Sequence, residues 1–243
     1  MKAIETRDLT KCFKEKRAVD AVNIEVEEGR LTALLGVNGA GKTTTIRMLT
    51  CLSKPTGGSA RVMGLDVVKD SERVKRLVGI STQDTAVAEN LTTAENLRFM
   101  AAVYLPKAEV GQAVEDVIRG FGLEEYRNTK AKLLSGGWKR RLSIAMAVIG
   151  RPKVLFLDEP TLGVDVLARR ELWKEIEKLR KSMTIVLTTH YMEEAEALAD
   201  DIYVMVGGKI RAQGTLQELE QLTGKKGLEE VFISLAEERS GNK

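Results

Sequence analysis

An α/β fold with a mostly parallel sheet, interrupted by an all-helical insertion, is what the 243-residue sequence predicts. Three observations carry this. Apolar runs without alternation, at 154–157 and 184–187, suit strands covered on both faces, as in a parallel sheet. A helical pattern over 167–179 separates those runs and has the length that a crossover between parallel strands needs. From about Thr92 to Leu142 the pattern turns to helix after helix, so sheet-forming chain lies on both sides of an insertion.

In chain order, 24–26 and 31–35 read as strands, and the second runs straight into glycine-rich 36–41 and a helix over 43–49. Residues 61–63 and 78–81 are short strand candidates. Thr92 with Glu95 predicts a capping box ahead of Leu97, Phe99 and Met100. Val110, Val114, Val117 and Ile118 repeat at helical spacing, and Gly120 and Gly122 close that helix. A helix over 138–149 precedes the strand at 154–157, and 202–206 is the last strand. Leu228, Val231, Phe232 and Leu235 predict a short amphipathic helix before a polar end, 237–243, that frays. The predicted organisation is therefore an α/β core from 1–84 and 152–224, a helical subdomain at 85–151, and a C-terminal helix and tail at 225–243.

Composition narrows the function. Charged residues make up 30% and hydrophobic residues 43%, as in ordinary globular proteins. A net charge of +3 is too balanced to imply nucleic acid as a partner, and 5% aromatics provide no stacking platform for single strands. Cys12 and Cys51 have neither disulfide nor metal-ligand spacing, which points to a reducing compartment. No apolar stretch reaches bilayer length, and 1–8 lacks the apolar core of a secretory signal, so the chain is expected not to cross a membrane by itself.

Residues 36–43, Gly-Val-Asn-Gly-Ala-Gly-Lys-Thr, fit the phosphate-loop pattern G-x-x-x-x-G-K-S/T in full. Its glycines let the backbone turn tightly and aim N–H groups at phosphate oxygens. Lys42 is placed to reach the terminal phosphates, the Thr43 hydroxyl to ligate Mg²⁺, and the following helix adds its positive dipole end. The apolar run 154–157 ends in Asp158 and Glu159. Successive strand residues face opposite ways, so the two acids are expected to differ in role. Asp158 is expected to hold Mg²⁺ through water, and Glu159 to act as general base on the attacking water.

Residues 134–141, Leu-Ser-Gly-Gly-Trp-Lys-Arg-Arg, resemble the signature sequence of ATP-binding-cassette ATPases and lie in the helical insertion, where that family carries it. The resemblance implies a RecA-like P-loop core with a small antiparallel β-subdomain, and ATP and Mg²⁺ as ligands. It implies nucleotide contacts by Phe13 (stacked on adenine), Gly36, Asn38, Gly39, Ala40, Gly41, Lys42, Thr43 and Thr44. Gln83 matches the glutamine that senses Mg²⁺ and joins the core to the helical subdomain. Asp165 matches the aspartate that crosses to a partner subunit, and His190, the chain's single histidine, matches the switch residue near the γ-phosphate. Ser135, Gly136 and Gly137 would close the site of a second copy.

Residues 140–145 and 190–195 are further similar to exporters of drugs, sodium or polysaccharide of the ABC-2 type, and to eukaryotic A-subfamily lipid exporters. The implied partners are separate membrane permease subunits, docked around Gln83, 85–104 and especially Asn90, Leu91 and Phe99. A second copy or a paralogous ATPase completes the sandwich, in the cytoplasm at the inner face of the membrane. The alternative is a soluble cassette ATPase acting on nucleic acid, a ribosome or a protein assembly. Four departures stand out: Val37, Trp138, Val166 in place of a proline, and Ser81-Thr82 ahead of Gln83. Trp138 is open to three roles: packing on an opposing subunit, contacting ribose, or filling the subdomain surface.

Overall fold

The computed structural model describes residues 1–237. In chain order, β1 (Lys2–Phe13), β2 (Lys16–Val22), β3 (Glu25–Glu27) and β4 (Leu31–Leu35) lead into α1 (Lys42–Leu49). Then come β5 (Gly57–Val62), β6 (Leu65–Asp66), α2 (Ser71–Leu77) and β7 (Val78–Ser81). The insertion holds α3 (Thr93–Tyr104), α4 (Lys107–Gly120) and α5 (Gly136–Val148). The chain returns through β8 (Val154–Asp158), α6 (Val166–Leu179), β9 (Thr184–Thr189), α7 (Met192–Leu198), β10 (Asp201–Val206) and β11 (Lys209–Gly214). It ends in α8 (Leu216–Thr223) and α9 (Leu228–Glu237).

Two sheets result. The larger has the order β11-β10-β4-β9-β8-β7, parallel throughout except for the β10–β11 edge. Every residue of β4, β8 and β9 is buried, as the unbroken apolar runs predict. The smaller sheet is antiparallel, β2-β1-β5-β6 with β3 also paired to β1. Sequence patterning misses most of it. β1 meets three partners along its length, with register shifts against each, so its burial does not alternate. Also missed are β11, α2, α7 and α8, the helices being only seven or eight residues long.

The predicted capping box forms: Glu95 N–H donates to Thr92 Oγ1, and the Glu95 carboxylate accepts from Thr92 N–H at 2.7 Å. The predicted C-terminal helix is α9, and Leu228, Val231, Phe232 and Leu235 are buried against the main core. Its expected frayed end, 238–243, lies outside the described residues; Glu237 itself closes α9. Both cysteines are free. Among the described residues, no helix is long and apolar enough to cross a membrane.

This topology fixes where chemistry can occur. β9 lies between β4 and β8, so the chain leaving all three strands emerges along one carboxyl edge. Register sets Thr189 beside Leu35, and Thr188 beside both Leu34 and Asp158.

Candidate nucleotide site

The phosphate loop is the turn from β4 into α1. Gly41 caps the helix at φ 111, in the left-handed region, and a Cβ there would fall 2.5 Å from the Ala18 carbonyl oxygen. No side chain caps α1, and the N–H groups of 41–44 have no intrahelical acceptor because they form its first turn. Lys42 folds back over the loop, donating to the carbonyls of Gly36 at 2.6 Å and Val37 at 3.3 Å. The Gly36 N–H donates to the Thr189 carbonyl, tying the loop to the end of β9.

Asp158 and Glu159 both turn toward this loop but take different partners. Thr43 Oγ1 donates to Asp158 Oδ1 at 3.0 Å, and Thr188 Oγ1 donates to the same oxygen at 2.6 Å. Glu159 Oε1 pairs with Lys42 Nζ at 3.0 Å, and its Oε2 lies 2.7 Å from His190 Nδ1. The two acids take different partners, but strand alternation is not the reason. β8 ends at Asp158, and Glu159 sits in a left-handed turn at φ 50. That turn is held by its N–H, which donates to both the carbonyl and the hydroxyl of Thr188, each at 3.1 Å. Glu159 and Lys42 are buried, at 4% and 5% exposure.

Phe13, Asn38, Gly39, Ala40, Gly41, Lys42, Thr43, Thr44, Gln83 and Glu159 line one cleft of about 390 Å³. Phe13 is 53% exposed, with Lys11 Nζ 5.1 Å from its ring centroid. Ser135, Gly136, Gly137 and Asp165 are not among the residues lining that cleft. Ser135 is instead the exposed N-cap of α5, with no capping bond from its hydroxyl. Asp165 caps α6, its Oδ1 accepting from the N–H groups of Leu167 and Ala168 at 3.1 and 3.0 Å. Trp138 packs within its own chain, 4.4 Å from the Tyr126 ring and beneath the Arg141 guanidinium.

The residues fit a magnesium-bound triphosphate. Loop N–H groups and an ammonium suit phosphate oxygens, while a hydroxyl beside a carboxylate suits a hard, oxygen-seeking cation. Among the described residues no cluster of three His, Cys, Asp or Glu forms a metal cage, so such an ion would complete its shell with phosphate oxygens and water.

The sequence pattern of the family described as ABC transporter matches residues 19–162, more than half of the chain. The chain belongs to the ABC transporter family. It is the ATP-binding and ATP-hydrolysing domain of that family, and membership of the family implies ATP and Mg²⁺ as ligands. It is 42% identical over 225 residues to the daunorubicin/doxorubicin resistance ATP-binding protein DrrA of Streptomyces peucetius, covering 92% of this chain and 68% of that one. It is 40% identical over 226 residues to the human phospholipid-transporting ATPase ABCA3, covering 91% of this chain but only 13% of that protein. A dimeric structure of MJ0796, a bacterial ABC transporter cassette, superposes with a TM-score of 0.80 at 25% identity, covering 88% of this chain and 98% of that one.

Several residues of this ABC cassette escape the sequence reading. Lys16 lines the cleft because the β1–β2 turn pairs it with Phe13. Thr188 looks like strand filler, yet it holds both acids. Arg140 is 4% exposed on α5, and its guanidinium forks to the carbonyls of Thr82 at 2.7 Å and Gln83 at 2.5 Å. It thereby pins the segment carrying Gln83 to the signature helix. Burial pulls its pKa down, opposed by the charges of Asp158, Asp84, Glu194 and Glu159. The only sequence signal was its position, five residues past Ser135.

Proposed function

We propose that this cassette is the ATP-driven motor of an exporter, working as a head-to-tail pair with its membrane permease on separate subunits. One observation carries the reading: the phosphate loop leading into α1 and Glu159 line one cleft, with Asp158 bonded to Thr43 and His190 to Glu159, while Ser135 stands exposed outside it with an unused hydroxyl. A second copy would bring its own Ser135, Gly136 and Gly137 over the cleft, adding another helix N-terminus to the triphosphate. MJ0796, of the same fold, forms a dimer. The nucleotide core is assigned to 1–84 and 152–224, the helical subdomain to 85–151.

Within the cleft each group has a task. Phe13 offers an exposed ring face to adenine. Asn38, Gly39, Ala40, Gly41 and Thr44 line the phosphate path, with Gly36 opening the loop. Thr43, Asp158 and Gln83 would hold Mg²⁺, which supplies charge neutralisation between the phosphates when bound. Lys42 offers its ammonium to the terminal phosphate, in exchange for Glu159 Oε1. That exchange frees Glu159 to accept a proton from the attacking water. His190, held by Glu159 through Nδ1, keeps Nε2 for the terminal phosphate. Asp165, at the start of α6, faces the second copy.

The permease surface is the groove between core and insertion. It is lined by Thr50, Leu52, Gly79, Ile80, Met100, Tyr104, Ser143 and Met146, with a volume of about 350 Å³. Leu52, Phe99, Val103 and Tyr104 add large exposed apolar side chains. Phe99, 63% exposed, suits a docking role. Asn90 and Leu91 are engaged within the insertion, Asn90 with Lys132 and Leu91 with Ala131 and Asn96. Named relatives that confer drug resistance or transport phospholipid support export, of the ABC-2 or A-subfamily kind, at the cytoplasmic face of the membrane. The test is purification of the tagged chain with ATP from detergent-solubilised membranes. A polytopic membrane protein in near-equal amount is expected. Ribosomes, nucleic acid or soluble assembly proteins in its place would overturn the exporter reading.

A further inference from the structure

The segment that carries His190 is gripped from one face of α6. Arg169 and Trp173 are four residues apart and so share that face. The Arg169 guanidinium carbon lies 4.5 Å from the Tyr191 ring centroid, and the Tyr191 ring lies 4.1 Å from the imidazole of His190, tilted by 38°. One turn further along α6, Trp173 Nε1 donates to Oε1 of the fully buried Glu194 at 3.1 Å. Two contacts, at Tyr191 and Glu194, thus fix both the start and the first turn of α7.

On its other side the imidazole meets the carboxylate of Glu159 at 2.7 Å. The series Arg169–Tyr191–His190–Glu159 is therefore continuous from the second turn of α6 to the cleft. α6 begins at Asp165, its cap. Arg169 Nε is buried without a hydrogen-bond partner among the described residues.

We propose that Tyr191, clamped by Arg169, is the positioning residue that holds the His190 ring against Glu159 for ATP hydrolysis. This rests on His190 acting in hydrolysis, as read above. The ring stack does the positioning and the tyrosine hydroxyl does not, so a phenyl ring suffices and an aliphatic side chain does not.

Steady-state ATPase against ATP concentration, with thermal melting alongside, tests this on the full chain. Loss of an aromatic stack worth about 1 kcal/mol predicts kcat about 3- to 10-fold lower for Tyr191→Leu, with KM for ATP within about twofold and a melting temperature lower by only about 2–4 °C. Arg169→Met falls in the same direction, and Tyr191→Phe matches the parent chain. In a His190→Ala background, Tyr191→Leu adds no further loss, because it acts through the imidazole. Three results overturn the proposal: an unchanged kcat for Tyr191→Leu while His190→Ala collapses, an equal loss from Tyr191→Leu in both backgrounds, or a loss of kcat that disappears in assays well below the melting temperature. Parent-level turnover by His190→Ala instead overturns the role of His190 itself, and this inference with it.

Discussion

Thr188→Val removes one hydroxyl and keeps the side-chain volume. That hydroxyl is fully buried, donates to Asp158 Oδ1 at 2.6 Å and accepts from the Glu159 N–H at 3.1 Å. The N–H keeps a second acceptor, the Thr188 carbonyl, so its share of the cost is small. What is lost is a hydrogen bond to a carboxylate, worth about 1.5–3 kcal/mol. For a domain of this size that predicts a melting temperature lower by about 3–12 °C. If the whole loss is felt in the transition state, kcat falls about 10- to 150-fold. Thr188→Ser keeps the hydroxyl and is expected to retain most of both. Calorimetry and steady-state ATPase assays read the two quantities independently. Parent-level melting and turnover by Thr188→Val would show that the hydroxyl does not hold Asp158.

Three further outcomes follow from the same geometry. Gly41→Ala places a Cβ at φ 111, 2.5 Å from the Ala18 carbonyl, and should abolish ATP binding in a fluorescence titration; unchanged affinity would refute the loop geometry. Burial pushes the Glu194 carboxyl above its ordinary 4.5, opposed by the hydrogen bond that Trp173 Nε1 donates to it. The folded chain therefore binds that proton more tightly than the unfolded chain. The group's stabilisation is full below 4.5 and is lost as pH rises toward its raised folded value. The melting temperature of Glu194→Gln should thus gain on the parent's as pH rises from about 5, and a constant difference would contradict this. Chelation of Mg²⁺ should stop ATP hydrolysis while leaving the melting of nucleotide-free protein unchanged, since no metal cage exists among the described residues. A lower melting temperature on chelation would reveal a structural metal.

Legibility in the sequence followed contiguity. The phosphate loop could be read because eight consecutive residues supply its turn, its ammonium and its hydroxyl. The buried strands β4, β8 and β9 could be read because a strand covered on both faces shows an unbroken apolar run. β1 could not, because twelve residues serving three partners carry no single period. Thr188, Arg140, Lys16 and the Arg169–Tyr191 stack reach the site only through strand register or helix packing, which no local pattern encodes. Asp158 and Glu159 take different partners, but not because successive strand residues face opposite ways. That rule assumes extended backbone, and Glu159 sits at φ 50.

The central claim is that Glu159 is the base for hydrolysis and that ATP, while intact, joins two copies. Sedimentation of Glu159→Gln with and without ATP, beside its turnover, tests both parts. The account predicts a dimer that appears only with ATP and persists, with turnover lower by about 10²- to 10⁴-fold. Parent-level turnover by Glu159→Gln, or monomers at saturating ATP, would contradict it.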